Sequence, residues 1–149
     1  MIGDHLVATD NPLAIPMSLR SRGRTPMTPS RSPLPGATGR VLLLIHGLCM
    51  TDRQWYPQHG GRRFDLGDIL ASTLSYTPVG LRYNSGLHVS DNGRELSALL
   101  ERLITEWPTA VDELSVVAHS MGGLVSREML TSPEIEYNRS ATSRQVPVV

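Results

Sequence analysis

The residues best suited to chemistry lie in Ala118-His119-Ser120-Met121-Gly122-Gly123. A serine with a small residue two positions away on each side, between an apolar stretch and a helix-forming one, implies a sharp backbone turn. Any flanking side chain larger than a methyl would collide in such a turn, and the serine is held in a strained conformation that lifts its hydroxyl clear. The hydroxyl then stands at the head of a helix, whose unsatisfied N–H groups and partial positive charge favour a developing oxyanion. That layout suits a nucleophilic serine. Taken alone, the pattern also fits a small-residue turn without chemistry. The stretch His46-Gly47-Leu48 shifts the balance, because it offers a second glycine turn at the end of another apolar run.

Elements must bring the two turns together. Val41 to Ile45 (VLLLI), between Gly39 and Gly47, is a short continuous apolar run, as expected of a strand buried on both faces. Leu66, Ile69, Leu70 and Leu74 follow at helical spacing within Phe64–Leu74, and Thr77–Tyr83 contains a second strand, PVGLRY. Asp91 or Asn92 is placed to cap a second helix, Glu95 follows Asn92 in the manner of a capping box, and Trp107-Pro108 ends it. Its apolar stripe is Leu96, Leu99, Leu100, Leu103 and Trp107. Leu114–Ala118 (LSVVA) is a third strand and Gly122–Leu130 a third helix. Strands alternating with helices argue for a parallel α/β sheet.

Right-handed crossovers then permit the spatial order second–first–third strand, with the first helix on one face and the other two on the opposite face. His46-Gly47 and Ser120 sit at the carboxyl ends of neighbouring strands, ~4.8 Å apart in the sheet. That is the switch point where open α/β sheets bind ligands. The Leu48 and Met121 N–H groups are expected to point together at a carbonyl oxygen attacked by Ser120, forming an oxyanion hole.

Composition narrows the class of protein. At 149 residues the chain is about one domain long, and 40% hydrophobic with 19% charged residues fits a globular chain. Fourteen basic and fourteen acidic side chains cancel, so no global field favours nucleic acid or anionic lipid. Every basic residue is arginine, which excludes a lysine base or Schiff base. The single cysteine, Cys49, excludes an intramolecular disulfide. No apolar run approaches ~18–20 residues, and the N-terminus lacks an apolar signal segment, so a cytoplasmic protein is expected. Residues 1–40 carry a net charge of +3 and six of the eleven prolines, while residues 41–149 carry −3. Proline fixes φ and removes a donor, so residues 1–38 are expected to be a disordered arm.

These motifs resemble the α/β-hydrolase fold, and within it the serine esterases and lipases. VLLLIHGL looks like that family's third strand with its histidine-glycine oxyanion turn, and VVAHSMGGL like its fifth strand, nucleophile elbow and following helix. The resemblance spans Val41–Leu130; Ala118 stands at the first glycine position of the elbow, as in some lipases. It implies a three-layer, incomplete parallel α/β-hydrolase sheet over residues 39–130, with a poorly ordered tail at 131–149. By position, Ser120 is the nucleophile and Leu48 and Met121 supply the oxyanion-hole N–H groups. The implied reaction is hydrolysis of a carboxylic ester, lipid-like or short-chain, with no cofactor or metal.

In that family an acid and then a histidine base follow the nucleophile. No histidine follows Ser120 here, and Glu134 and Glu136 are the only acids in the tail, read as solvated charges. The chain is therefore expected to be the first half of a hydrolase, ending before its acid and base. A catalytically inactive remnant, binding acyl groups or pairing with a partner through its open sheet edge, is the competing expectation. His46 belongs to the oxyanion turn, where the resemblance implies that its ring packs or hydrogen-bonds beneath the site, and His88 to the loop YNSGLHVSDNG at the same carboxyl edge; both are candidates for lining a pocket. His119 is expected to point away from the Ser120 hydroxyl, His59 lies in the loop Gln54–Gly61, and His5 lies in the arm. A metal site from His46, Cys49 and His59 lacks any recognised ligand spacing, and Cys49 reads as a small packed residue.

Overall fold

Continuous apolar strands alternating with one-sided helices dictate a layered sheet, and the computed structural model has that form. It describes residues 8–9, 14–21, 26–27, 34–55, 58–59, 62–63 and 65–131. In chain order the elements are β1 (Ser18–Arg20), β2 (Pro26–Met27), β3 (Arg40–Ile45), a 3₁₀ turn at Asp52–Trp55, β4 (Gln58–His59), β5 (Arg62–Arg63), α1 (Leu66–Leu74), β6 (Thr77–Arg82), α2 (Val89–Glu106), β7 (Glu113–Ala118) and α3 (Met121–Leu130). Among the described residues, five strands form one open sheet in the order β2-β1-β6-β3-β7, and β4 and β5 form a separate two-stranded ribbon.

The order β6-β3-β7 is the expected second–first–third arrangement, and both pairings are parallel. Side chains alternate across β3. Val41, Leu43 and Ile45 join Val79, Leu81, Leu96, Leu100, Leu103, Val125 and Met129 in the main core under α2 and α3. Leu42 and Leu44 are equally buried but face the other way, where Gly67 of α1 comes against Leu44. The helices thus cover both faces, one on one side and two on the other. α2 and α3 approach closely because Gly93 has no side chain: a Cβ there would lie 2.5 Å from Cβ of Glu128.

Several expectations need correction. The arm is not outside the fold throughout, because Ser18–Arg20 adds antiparallel to β6 and Pro26–Met27 to β1. The sheet is therefore mixed, not purely parallel. The physical reason is that β6 presents an open edge, residues 18–20 contain no proline, and Leu19 offers an apolar side chain that reaches 2% exposure in the core. Pro26 is tolerated because β2 is the outermost strand, where a missing N–H costs no ladder bond. His5, Arg22, Arg24, Arg31 and the tail with Glu134, Glu136 and Val146–Val149 lie outside the described residues. The stretch Gln54–Gly61 is not a plain loop, since it holds the end of the 3₁₀ turn and β4.

Helix ends also differ in detail. α2 begins at Val89 after His88, so Asp91 and Asn92 fall in its first turn and cap nothing; Asn92 instead donates from Nδ2 to the Asn84 carbonyl at 3.1 Å. Its stop at Trp107 is as expected, because Pro108 forces the preceding residue into extended geometry. α1 is capped by Asp65, whose carboxylate accepts from the Asp68 N–H at 2.9 Å. At the amino-terminal end of the sheet, Arg40 Nε donates to Glu113 at 2.9 Å, Arg40 also donates to Tyr76 Oη at 3.0 Å, and Tyr76 donates to Glu113. That clamp ties together the starts of β3, β6 and β7. It draws the Glu113 carboxyl below its ordinary value, through the Tyr76 and then the Arg40 hydrogen bonds.

Candidate active site

Parallel pairing of β3 with β7 sets Ile45 beside Ala118, so the turns that leave these two strands emerge side by side. The His119 N–H donates to the Ile45 carbonyl at 3.0 Å, which extends the ladder one residue beyond the strand. Ser120 then takes φ 53° and ψ −121°, a region a side chain adopts only under strain. The surrounding hydrogen bonds hold it there: Gly122 N–H donates to His119 at 3.0 Å and Gly123 N–H to Ser120 at 2.9 Å. Ser120 stands at the head of α3 but makes no side-chain cap hydrogen bond, and the residue is exposed. Its hydroxyl is not spent on the helix.

The small residues have measurable reasons. A Cβ on Gly122 would lie 2.7 Å from the His46 carbonyl oxygen and 2.8 Å from that of Ile45, so α3 begins in contact with the backbone of β3. A Cβ on Gly47 would lie 2.8 Å from His119 Nδ1 and 3.2 Å from Ser120 Cβ. The glycine turn and the serine turn therefore touch. Met121 opens α3, where an N–H has no intrahelical acceptor, and Leu48 follows Gly47 on the facing turn. One backbone N–H thus follows each of the two turns, that of Leu48 after Gly47 and that of Met121 after Ser120.

His46 is fully buried, with its ring stacked on Tyr83 at 4.3 Å between centroids and 21° between planes. The stack and its own hydrogen bonds hold the ring beneath the turn. Nδ1 lies 3.0 Å from the Gly47 carbonyl oxygen, which can only accept, so Nδ1 carries the proton. Nε2 is left to face the Tyr83 N–H at 3.5 Å. Burial holds the imidazole below its ordinary pKa and the charge of Arg82 adds to this, against the Gly47 carbonyl and Asp52. The ring is neutral at pH 7. Tyr83 is buried as well, and its hydroxyl, pushed up to about 12 by burial, donates to the His46 carbonyl at 2.8 Å.

His88 is exposed and precedes α2, and His119 rests its ring against Gly47. Cys49 is exposed, not packed: it adopts φ 57° in the turn after Leu48 and donates its N–H to Ser85 Oγ at 3.0 Å. Among the described residues no group of His, Cys, Asp and Glu could hold a metal ion. No helix among them is long and apolar enough to cross a membrane. Tyr83 and buried Asp52 are the neighbours of the site that sequence reasoning passed over. Tyr83 carried a signal, an aromatic at the carboxyl end of the strand beside the His-Gly turn. Asp52 carried none.

No family model matches the chain, and no curated protein matches it. Among solved structures, it is similar to the Bacillus licheniformis lipase BlEst2. Against the propeptide form the TM-score is 0.51 at 19% identity, covering 83% of this chain and 22% of that one. Against the mature form it is 0.52 at 19% identity, covering 79% and 42%. The chain thus spans less than half the length of either form. At that identity the likeness establishes the fold: a mixed α/β sheet of the lipase kind.

Proposed function

We propose that the chain is the nucleophile-bearing part of a carboxylic ester hydrolase. The observation that carries the reading is Ser120 at φ 53°, uncapped and exposed, against the glycine turn of the neighbouring strand. Ser120 Oγ attacks the acyl carbonyl, and the Leu48 and Met121 N–H groups receive the oxygen as it gains charge. Alcohol leaves with a proton, and water then releases the acid and regenerates the serine. No cofactor enters these steps. Leu48, Met50 and Leu124, all well exposed on the turn and on α3, support an apolar, lipid-like or short acyl ester. The lipase-like fold adds support.

A second reading is favoured by the histidines. His46 is buried and committed to its own turn, and His119 rests on Gly47. On that reading the chain binds acyl groups or a protein partner without turnover. A fluorophosphonate probe separates the two, since only an activated Ser120 takes the label, and Ser120→Ala must abolish it. On the second reading, hydrolysis of an aryl ester stays near the small residual catalysis of an oxyanion hole and binding. Turnover typical of a complete esterase would require a base among the remaining histidines, and His88→Ala would be the first variant to make.

A further inference from the structure

We propose that Tyr83 is a positioning residue of the oxyanion hole, holding the His46-Gly47 turn so that the Leu48 N–H faces the Ser120 hydroxyl. The inference rests on the ester-hydrolase reading for its catalytic meaning. Its geometry stands independently. A trans peptide is planar, so the direction of the Leu48 N–H is opposite to that of the Gly47 carbonyl. The Gly47 carbonyl is held by His46 Nδ1–H at 3.0 Å and by the Met50 N–H at 3.3 Å. Whatever fixes His46 therefore fixes the donor.

Tyr83 fixes it in three ways. Its ring stacks on the imidazole, its N–H faces Nε2, and its hydroxyl donates to the His46 carbonyl at 2.8 Å. That same carbonyl is the atom a Gly122 Cβ would meet at 2.7 Å. It is thus the point where β3 meets the first turn of α3, one residue past Met121. One buried hydroxyl holds the oxygen on which the two halves of the hole are set relative to each other. Tyr83 touches no reacting atom in this account and acts only through His46.

Tyr83→Phe tests the idea, because it keeps the ring stack and removes the hydroxyl. The readouts are the rate of Ser120 phosphonylation and the amide resonances of Leu48 and Met121. In the labelling step Ser120 Oγ bonds to phosphorus, fluoride leaves, and the hydroxyl proton passes to solvent. Loss of one buried hydroxyl hydrogen bond should slow the chemical step about tenfold with probe affinity unchanged. It should also shift or broaden both amides. Tyr76→Phe is the comparison: it removes a hydroxyl from the clamp at the opposite end of the sheet and should leave rate and amides alone. Equal rates and unmoved amides in Tyr83→Phe would overturn the proposal and leave Tyr83 as core packing. If wild-type Ser120 takes no label, the ester-hydrolase reading fails, and the amides alone decide the role of Tyr83. Should Tyr83→Phe not fold, the same comparison is run in a Gly123→Ala background, where an added Cβ meets open space.

Discussion

Gly122→Ala tests whether the serine turn is built on contact between α3 and the backbone of β3. The added Cβ would lie 2.7 Å from the His46 oxygen, 2.8 Å from the Ile45 oxygen and 2.9 Å from Ile45 Cγ2. Neither oxygen is free to retreat. The first accepts from the Tyr83 hydroxyl at 2.8 Å and the second from the His119 N–H at 3.0 Å. Forcing a methyl into a packed site costs about 1–3 kcal/mol, and losing one of those hydrogen bonds adds about 1 kcal/mol. Alanine recovers up to about 1 kcal/mol of helix propensity over glycine. The net expectation is a loss of about 2 kcal/mol.

Gly123→Ala provides the internal comparison, because it lies on the same helical turn and its Cβ meets nothing within 4 Å. It should be neutral or stabilising by up to about 1 kcal/mol, the propensity gain without the collision. The two neighbours should therefore differ by about 2–3 kcal/mol, and at ~2–4 °C per kcal/mol for a chain of about 150 residues their melting temperatures should differ by ~4–12 °C. Thermal unfolding followed by circular dichroism reads this directly. Melting curves that coincide within a degree or two would refute the contact, and with it the claim that Gly122 sets the position of Met121. Phosphonylation of Ser120 should fall in Gly122→Ala for the same reason.

Other outcomes follow from the same structure. Ser120→Gly should melt higher than Ser120→Ala, since glycine relieves the positive φ, whose cost is about 1–3 kcal/mol, whereas alanine retains it; equal melting would mean that the turn is unstrained. Leu19→Ala should cost about 2–4 kcal/mol in chemical denaturation, because β1 buries Leu19 in the main core; a silent change would return residues 18–20 to the status of an arm. The Glu113 carboxyl is depressed in the fold, so its contribution is present above the ordinary value of 4.5 and is lost as pH falls through the lower folded value. The melting-temperature gap between wild type and Glu113→Gln should therefore be widest near neutrality and close in acid; a constant gap would show that the clamp does not titrate.

Much of the scaffold was legible because burial on both faces leaves a plain mark. VLLLI carries the apolar run that an interior strand needs, LSVVA carries a similar run although β7 stands at the edge of the described sheet with Leu114 and Val116 as its buried residues, and the crossover rule orders the two. The two turns were legible for a related reason: their requirement is for the absence of side chains, and glycine at 47 and 122 states it directly. β1 was not legible. Three residues pairing on an open edge leave no periodicity, and the prolines around them outweighed the one apolar residue that matters, Leu19. The start of α2 is obscured because Asp91 and Asn92 have the chemistry of caps, yet Asn92 finds its acceptor at Asn84, eight residues back. For His46, residue type alone does not say which side of a turn the ring takes. That choice is made by Tyr83, which lies 37 residues away.

The proposed ester-hydrolase site has mostly backbone for its working parts, and this shapes what its sequence can vary. The donors assigned to it are N–H groups that any residue but proline supplies, so on that proposal Leu48 and Met121 are constrained by position and not by side chain. Constraint moves instead to the residues that set the peptide planes: Gly47 and Gly122, which allow the approach, and His46 and Tyr83, which lock it. Substituting Leu48 by another exposed apolar residue should then be nearly silent. Loss of one hydroxyl at Tyr83, which is buried and remote from any reacting atom, should not be. Ser120 alone joins both kinds of constraint, because its side chain supplies the hydroxyl while its backbone bears the strain that presents it.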